Sequence, residues 1–288
     1  MNVSASDVPV SNPVSDAPVL EARGVTVRFG GLVALSEVDI SVPPATIVGL
    51  VGPNGAGKTT LFGVLSGLLR PQAGDVLLAG RRVTRSSPSR RARLGLARTF
   101  QQLELFSGLT VREHIVLGYR VRNERARLWS DLLTVGALHR PSAAERDRVD
   151  HLLELLALTR FADTPAASLS LGTSRRVEVA RALATGPSVV LLDEPSSGLD
   201  AVETAQLARA LRTVVDEERV SLLLVEHDVA MVLGLSSAVA VLDFGRRIAY
   251  GTPDEIRNDP AVRAAYLGDD EAVVGTGGTG DGGGGEAQ

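Results

Sequence analysis

Residues Gly52-Pro53-Asn54-Gly55-Ala56-Gly57-Lys58-Thr59-Thr60 have the types and spacing of a loop that grips phosphate. Gly52, Gly55 and Gly57 let the backbone turn tightly and aim its N–H groups inward. Lys58 supplies a point charge for a β- and a γ-phosphate, and Thr59 offers a hydroxyl to Mg²⁺ where a helix begins. A glycine-rich turn with an incidental lysine is the bland alternative. A complete G-x-x-x-x-G-K-[ST] between an apolar strand-like run and a helical pattern reads instead as a nucleotide site.

Further along, Val189 to Leu192 runs into Asp193-Glu194-Pro195. In an open parallel sheet, ligands gather at the carboxyl ends of the strands, the edge that also carries the phosphate loop. There Asp193 can hold Mg²⁺ through water, and Glu194 can orient or deprotonate a water attacking the γ-phosphate. Taken alone, an acidic pair at a strand end is a turn or a helix cap. A third apolar run ends at Glu226-His227-Asp228, where His227 can donate to the γ-phosphate or merely pack, and Asp228 suits a helix cap. Upstream, Gln101 in "RTFQQLELFSGLTV" falls at a strand-to-loop junction, placed to ligate Mg²⁺ or contact the water, or to be a surface glutamine.

The elements that must position these groups are legible in outline. "TIVGLV", "SVVLLD" and "VSLLLVEH" are continuous apolar runs of strand length, the pattern of parallel strands buried on both faces. "LVALSEVDISV" and "GDVLLAGRRV" alternate and read as antiparallel. The fold class is therefore α/β, with a mostly parallel sheet and an antiparallel edge. A mostly helical stretch from about Val111 to Ser168 interrupts it; with the helix that follows, it makes an insert of about 111–185.

At 288 residues, 44% apolar and 22% charged, the chain can bury a sizeable core. No run reaches the roughly 20 apolar residues of a membrane-spanning helix. There is no cysteine, which excludes disulfides and thiolate chemistry. The first 18 residues hold no Lys or Arg, unlike a secretory signal; with the cysteine count, this points to the cytoplasm. Seven of the acids behind the net charge of −4 lie at the two ends, so the body is nearly neutral, unlike a nucleic-acid binder. Residues 1–18 and 269–288, rich in Ser, Pro or Gly, read as disordered extensions of a folded body at 19–268.

One stretch poses a question. "SLSLGTSRRVEVARAL" ends in a good helix, with Val177, Ala180, Leu183 and Ala184 on one face and Gly186-Pro187 to stop it. Its start, fronted by the loop Ser170 to Thr173, is expected to place Arg175 and Arg176 in the first turn, where the helix dipole favours an anion.

In this order, Phe29 before Gly30-Gly31, "GPNGAGKTT", "RTFQ", "LSLGTSRRVEVARAL", "VVLLDEPSSGLD" and "LLLVEHD" resemble an ABC transporter ATPase subunit. The resemblance runs from about Leu20 to Leu267. It implies that Phe29 stacks on adenine, although an aromatic there could equally be core. It also implies that Gln101 is the Q-loop glutamine, Glu194 the catalytic glutamate, Asp200 the D-loop aspartate and His227 the switch histidine. "GLARTFQ" and "VLDFGRRIAYGTPDEIRNDPAVRAAYLG" look most like the importer ATPases for branched-chain amino acids; importers for urea or amides, and exporters, share the cassette.

Such subunits dimerise head to tail, so Ser170 and Gly172 of one would face the γ-phosphate on the other, and the anion at the helix start would be the partner's ATP. The family's Leu-Ser-Gly-Gly-Gln is altered here, with Leu171 for the first glycine and Thr173 for the glutamine. Implied cofactors are ATP and Mg²⁺. Implied partners are a second ATPase subunit, two membrane permeases and an external solute-binding protein, with the chain at the cytoplasmic membrane face. A ribosome- or DNA-directed relative fits poorly, because there is one motif set and no long coiled coil.

Overall fold

The computed structural model describes residues 17–99, 105–123 and 142–267. The arm up to residue 16, the tail from residue 268, Gln101 with its neighbours, and 124–141 of the expected insert lie outside the described residues. Strands β1 (Leu20–Phe29) and β2 (Leu32–Val42) form a hairpin, and β3 (Ile47–Val51) leads into α1 (Lys58–Ser66). Next come β4 (Ala73–Leu78), β5 (Arg81–Arg82), α2 (Pro88–Arg93) and β6 (Leu96–Arg98). Helices α3 (Val111–Asn123), α4 (Ala143–Leu155) and α5 (Leu171–Ala184) follow, with 3-10 turns at Thr159–Phe161 and Ala166–Ser168. The remainder is β7 (Val189–Asp193), α6 (Ala201–Glu218), β8 (Ser221–Val225), α7 (Val229–Leu235), β9 (Ala238–Asp243) and β10 (Arg246–Gly251), then α8 (Pro253–Asn258) and α9 (Pro260–Leu267).

The larger sheet has the order β10-β9-β3-β8-β7-β6. Its pairs from β9 to β6 are parallel, and only β10 at the edge is antiparallel. The smaller sheet, β2-β1-β4-β5, is antiparallel throughout. The three apolar runs are β3, β7 and β8, and every residue in them is buried. Alternate side chains enter two cores: Val48, Leu50, Leu191 and Leu223 pack with α1 and the small sheet, whereas Val190, Leu192, Leu222 and Leu224 pack under the helices. A strand buried on both faces has no polar side to alternate with, which explains the continuous runs.

The described part of the expected insert is helical and is held by charges as well as by Ile115, Val149 and Leu152. Arg120 of α3 makes a bidentate pair with Glu145 of α4, Nε to Oε2 at 2.9 Å and Nη2 to Oε1 at 2.7 Å, with both side chains buried. Glu145 is also the residue whose amide the Ser142 N-cap accepts, so α4 starts where the pair needs it. Arg148 then binds Glu218 at 2.6 and 2.7 Å, tying α4 to the last turn of α6. No helix among the described residues is long and apolar enough to cross a membrane.

Removing one member of a buried ion pair strands the other charge, at about 3–5 kcal/mol. Glu145→Ala should therefore lower thermal stability far more than Asp150→Ala, whose partner Arg112 is exposed. Paired melting curves check this, and equal losses would show that the buried pair is not what fixes α3 on α4.

Candidate functional site

Because β3, β7, β8 and β9 run parallel, their carboxyl ends meet at one edge, and the loops leaving them bring the site together. The loop after β3 wraps back onto the end of β9: Gly52 adopts φ 151°, and a Cβ there would strike the Leu242 carbonyl. The turn after β9 fastens the same loop, with the Gly245 N–H donating to Ala56 O at 3.0 Å. Gly57 caps α1 with φ 103° and a free N-terminus, so the first amides of α1 point out of the helix toward the loop. Pro53, Asn54 and Gly55 form its outer rim; Thr59 is exposed at the rim and Thr60 half-buried.

Lys58, the only lysine in the chain, is buried and turns its Nζ inward, donating to Gly52 O at 2.6 Å and Pro53 O at 3.0 Å. Burial pushes its pKa down, and the nearby Glu194 carboxylate opposes that. A loop carrying a buried ammonium and several free amides is a phosphate cradle in charge as well as in shape.

Asp193 ends β7, buried, and pairs with Arg98 of β6 at 2.9 Å. Glu194 follows in the left-handed region at φ 47°. A non-glycine residue held there is strained by on the order of 1 kcal/mol or more. What holds it is the next strand: the Glu194 N–H donates to Val225 O at 2.9 Å, and its Oε1 meets His227 Nε2 at 2.6 Å. Glu226 faces the other way, buried, accepting from the Ser196 N–H at 2.7 Å, and burial raises its pKa. Thus β7 and β8, in register at Asp193 and Val225, set a carboxylate and an imidazole side by side next to the cradle.

Among the described residues, no three His, Cys, Asp or Glu converge as a self-sufficient metal cage. The donors present are the exposed Thr59 hydroxyl and the Asp193 carboxylate. That set fits Mg²⁺, which takes one or two protein oxygens and completes its shell with substrate phosphates and water. Phe29 ends β1 half-exposed, so it is not a core residue; Leu32 and Val33 beside it are also exposed.

The start of α5 corrects the expectation drawn from sequence. Ser170 is the N-cap, its Oγ accepting from the Thr173 N–H at 3.3 Å, so Leu171 to Thr173 form the first turn and not a loop. Arg175 and Arg176 fall in the second turn and are buried. Arg175 pairs with Glu178 at 3.2 Å, and Arg176 donates to Leu156 O, Ala157 O and Thr173 Oγ1. Arg176 braces the helix against the end of α4 and Arg175 is paired within the helix, so neither awaits an anion. The anion actually at the helix start is Glu203, whose Oε1 accepts from the Gly172 N–H at 3.3 Å and lies where a Cβ on Gly172 would go. Sequence reasoning missed Glu203 as a partner for this turn. Asp200 caps α6 by accepting from Glu203's own N–H at 2.7 Å, so Asp200, Glu203 and Gly172 form one connected set. Leu171 is partly exposed against Gly198.

The comparisons with known proteins bear on this geometry. The model for ABC transporters matches residues 35–197, and the model described as branched-chain amino acid ATP-binding cassette transporter matches residues 246–272. The chain is 38% identical over 252 residues to the high-affinity branched-chain amino acid transport ATP-binding protein LivG of Escherichia coli K12. That alignment covers 88% of this chain and 98% of LivG. Its counterpart BraF of Pseudomonas aeruginosa is 37% identical over the same shares. The chain belongs to the ABC transporter ATP-binding family. The cassette binds and hydrolyses ATP, and its α/β architecture is the family's. A solved ATP-binding cassette of an ABC transporter in its ADP conformation superposes with a TM-score of 0.75 at 27% identity, covering 88% of this chain and 99% of that one. Another, cbiO1 from Clostridium perfringens, gives 0.73 at 26% identity, covering 87% and 95%.

One further residue stands out beside the described start of the segment that follows Gln101. His114 is fully buried, its Nδ1 is 2.8 Å from Thr110 O, and its Nε2 accepts from the Phe106 N–H at 2.9 Å. Those two bonds require the neutral ring with its proton on Nδ1. Burial lowers the pKa, the Arg181 charge adds to the lowering, and the Thr110 carbonyl and Glu113 oppose it. With the folded pKa below the unfolded 6.5, the folded state binds fewer protons, so this contribution is present above pH 6.5 and is lost as pH falls toward the folded pKa. Denaturant midpoints should therefore drop more between pH 7.5 and 5 for wild type than for His114→Gln. A parallel drop in both would place the acid sensitivity elsewhere.

Proposed function

We propose that the cassette powers an importer for branched-chain or other small amino acids, working as one of two ATPase subunits against two permeases at the cytoplasmic face of the membrane. The observation that carries the amino-acid reading is the match of residues 246–272, covering β10, α8 and α9, to a model specific to branched-chain amino acid cassettes. The near full-length likeness to LivG supports it. An external solute-binding protein completes the assembly on this reading.

In the mechanism, Phe29 stacks on the adenine and the loop from Gly52 to Thr60 wraps the phosphates. The Lys58 ammonium leaves the Gly52 and Pro53 carbonyls for the β- and γ-phosphate oxygens. Thr59, Asp193 and Gln101 would hold Mg²⁺, which would supply charge neutralisation for the transferring phosphate. Glu194 orients the attacking water and takes its proton, while His227 exchanges its contact with Glu194 to donate to the γ-phosphate. Ser170 and Gly172 of the second subunit close over the same phosphate, and Asp200 lies at that junction. For this contact the Gly172 N–H must exchange the Glu203 carboxylate for phosphate oxygen.

Co-purification in mild detergent tests the assignment as a whole: recovery of permeases supports transport, and recovery of ribosomes or DNA overturns it. At the site, Glu194→Gln should reduce turnover about hundredfold or more, the range of general-base contributions, with ATP affinity nearly unchanged. Lys58→Ala should weaken ATP binding itself. Wild-type hydrolysis by Glu194→Gln in the assembled complex would remove the carboxylate from its role.

Leu171 is absent from the residues with positive φ, so this position does not need glycine. Leu171→Gly should accordingly change steady-state ATPase by less than about tenfold, or about 1.4 kcal/mol in barrier. A thousandfold gain would mean the native signature is crippled and a different subunit's loop completes the productive site.

A further inference from the structure

Charge is unevenly spread along the cassette. Between Arg70 and Arg98 there are eight arginines and a single acid, Asp75, in a chain whose net charge is −4. Two of the eight are structural. Arg91 is buried and donates to Val64 O and Leu65 O at 2.6 Å and to Thr84 O at 3.2 Å, and Arg98 holds Asp193. Others are exposed, and three of them, Arg70, Arg82 and Arg85, converge on one cavity of about 390 Å³ between the loop before β4 and the loop after β5. This cavity belongs to the small antiparallel sheet and shares no lining residue with the ATP site.

Most polar groups of its wall are already engaged. Gln72 is bound to the Arg28 backbone through both ends of its amide, at 2.9 and 3.1 Å. The Thr84 hydroxyl accepts from the Val76 N–H and donates to Asp75. Arg82 pairs with Asp75 at 2.5 Å, which cancels that carboxylate as a repulsive charge. Arg70 and Arg85 make no hydrogen bond or ion pair among the described residues, so the cavity presents two uncompensated guanidinium groups. The wall between them is fixed, because Arg91 bolts the Thr84 carbonyl to the last turn of α1. Two planar cations on a rigid concave wall match a tetrahedral phosphate oxyanion, which guanidinium groups bind through paired N–H donors.

We propose that this cavity is a second anion site that takes a phosphate group, held by Arg70 and Arg85 with Arg82 at its side. The phosphate can belong to a lipid headgroup, since anionic leaflets attract clustered arginines, or to a free phosphate.

The test uses the full chain with its ATP site saturated by ADP. Inorganic phosphate binding is measured by calorimetry, and vesicle binding is compared between pure phosphatidylcholine and phosphatidylcholine containing phosphatidylglycerol. Wild type is set against Arg70→Gln/Arg85→Gln and against Arg146→Gln, an exposed arginine of α4. Both double-variant positions are exposed and unbonded, so melting temperature should not move. The expected result is a tenfold or greater loss in the double variant and none in Arg146→Gln. Loss confined to inorganic phosphate assigns a free phosphate, and loss of phosphatidylglycerol-dependent binding assigns a headgroup. No binding in either assay, or equal losses in both variants, would overturn the proposal.

Discussion

Parallel pairing of β3 with β8 and of β8 with β7 is the constraint on which the site depends. It leaves three loops at one edge with no freedom to choose neighbours. The Val225 carbonyl takes the Glu194 N–H as though the ladder went one residue further, and this forces Glu194 into a left-handed backbone beside His227. The pairing in turn requires apolar cover on both faces. That requirement explains why a small second sheet and α1 lie under one face and the helices under the other.

A second regularity runs through the site. Three donors that the proposed mechanism directs at a triphosphate already have an internal partner: Lys58 on two carbonyls, His227 on Glu194, and the Gly172 amide on Glu203. On the proposed mechanism each of these contacts is exchanged for phosphate oxygen when nucleotide binds, and an exchange between two satisfied states avoids leaving a buried donor unpaired. Selectivity then rests on a difference: triphosphate must offer each group more than its resident partner does. Glu203 makes the point sharply, since it sits on α6 three residues after Asp200 and so couples that loop to the start of α5.

How much of this was legible in sequence follows from the range of each interaction. The phosphate loop, the acidic strand end and the three buried strands are local patterns, readable because glycine spacing and apolar continuity are properties of adjacent residues. Asp228 as a cap was readable for the same reason, and it does accept from the Met231 N–H. The start of α5 was not. Arg175 and Arg176 lie one turn further in because Ser170 is itself the N-cap, and the carbonyls that take Arg176, at Leu156 and Ala157, come from the end of α4, distant in sequence. Glu203 fits the Asp-x-x-Glu pattern of a capping box with Asp200, yet its carboxylate turns to Gly172 instead, a choice set by how α6 lies against α5. The match of Asp193 to Arg98 likewise needed the order of β6 and β7.

Lys58 being the chain's only lysine has an experimental corollary. Every other side-chain cation is arginine or histidine, so amine chemistry on this protein addresses the phosphate loop and the N-terminal amine alone. Isotopic methylation of lysine would install a single side-chain reporter in the loop proposed to hold the triphosphate. A lysine-directed protease has one peptide bond to cut, Lys58–Thr59, inside the first turn of α1, so the appearance of two fragments is a direct clock for the opening of that turn.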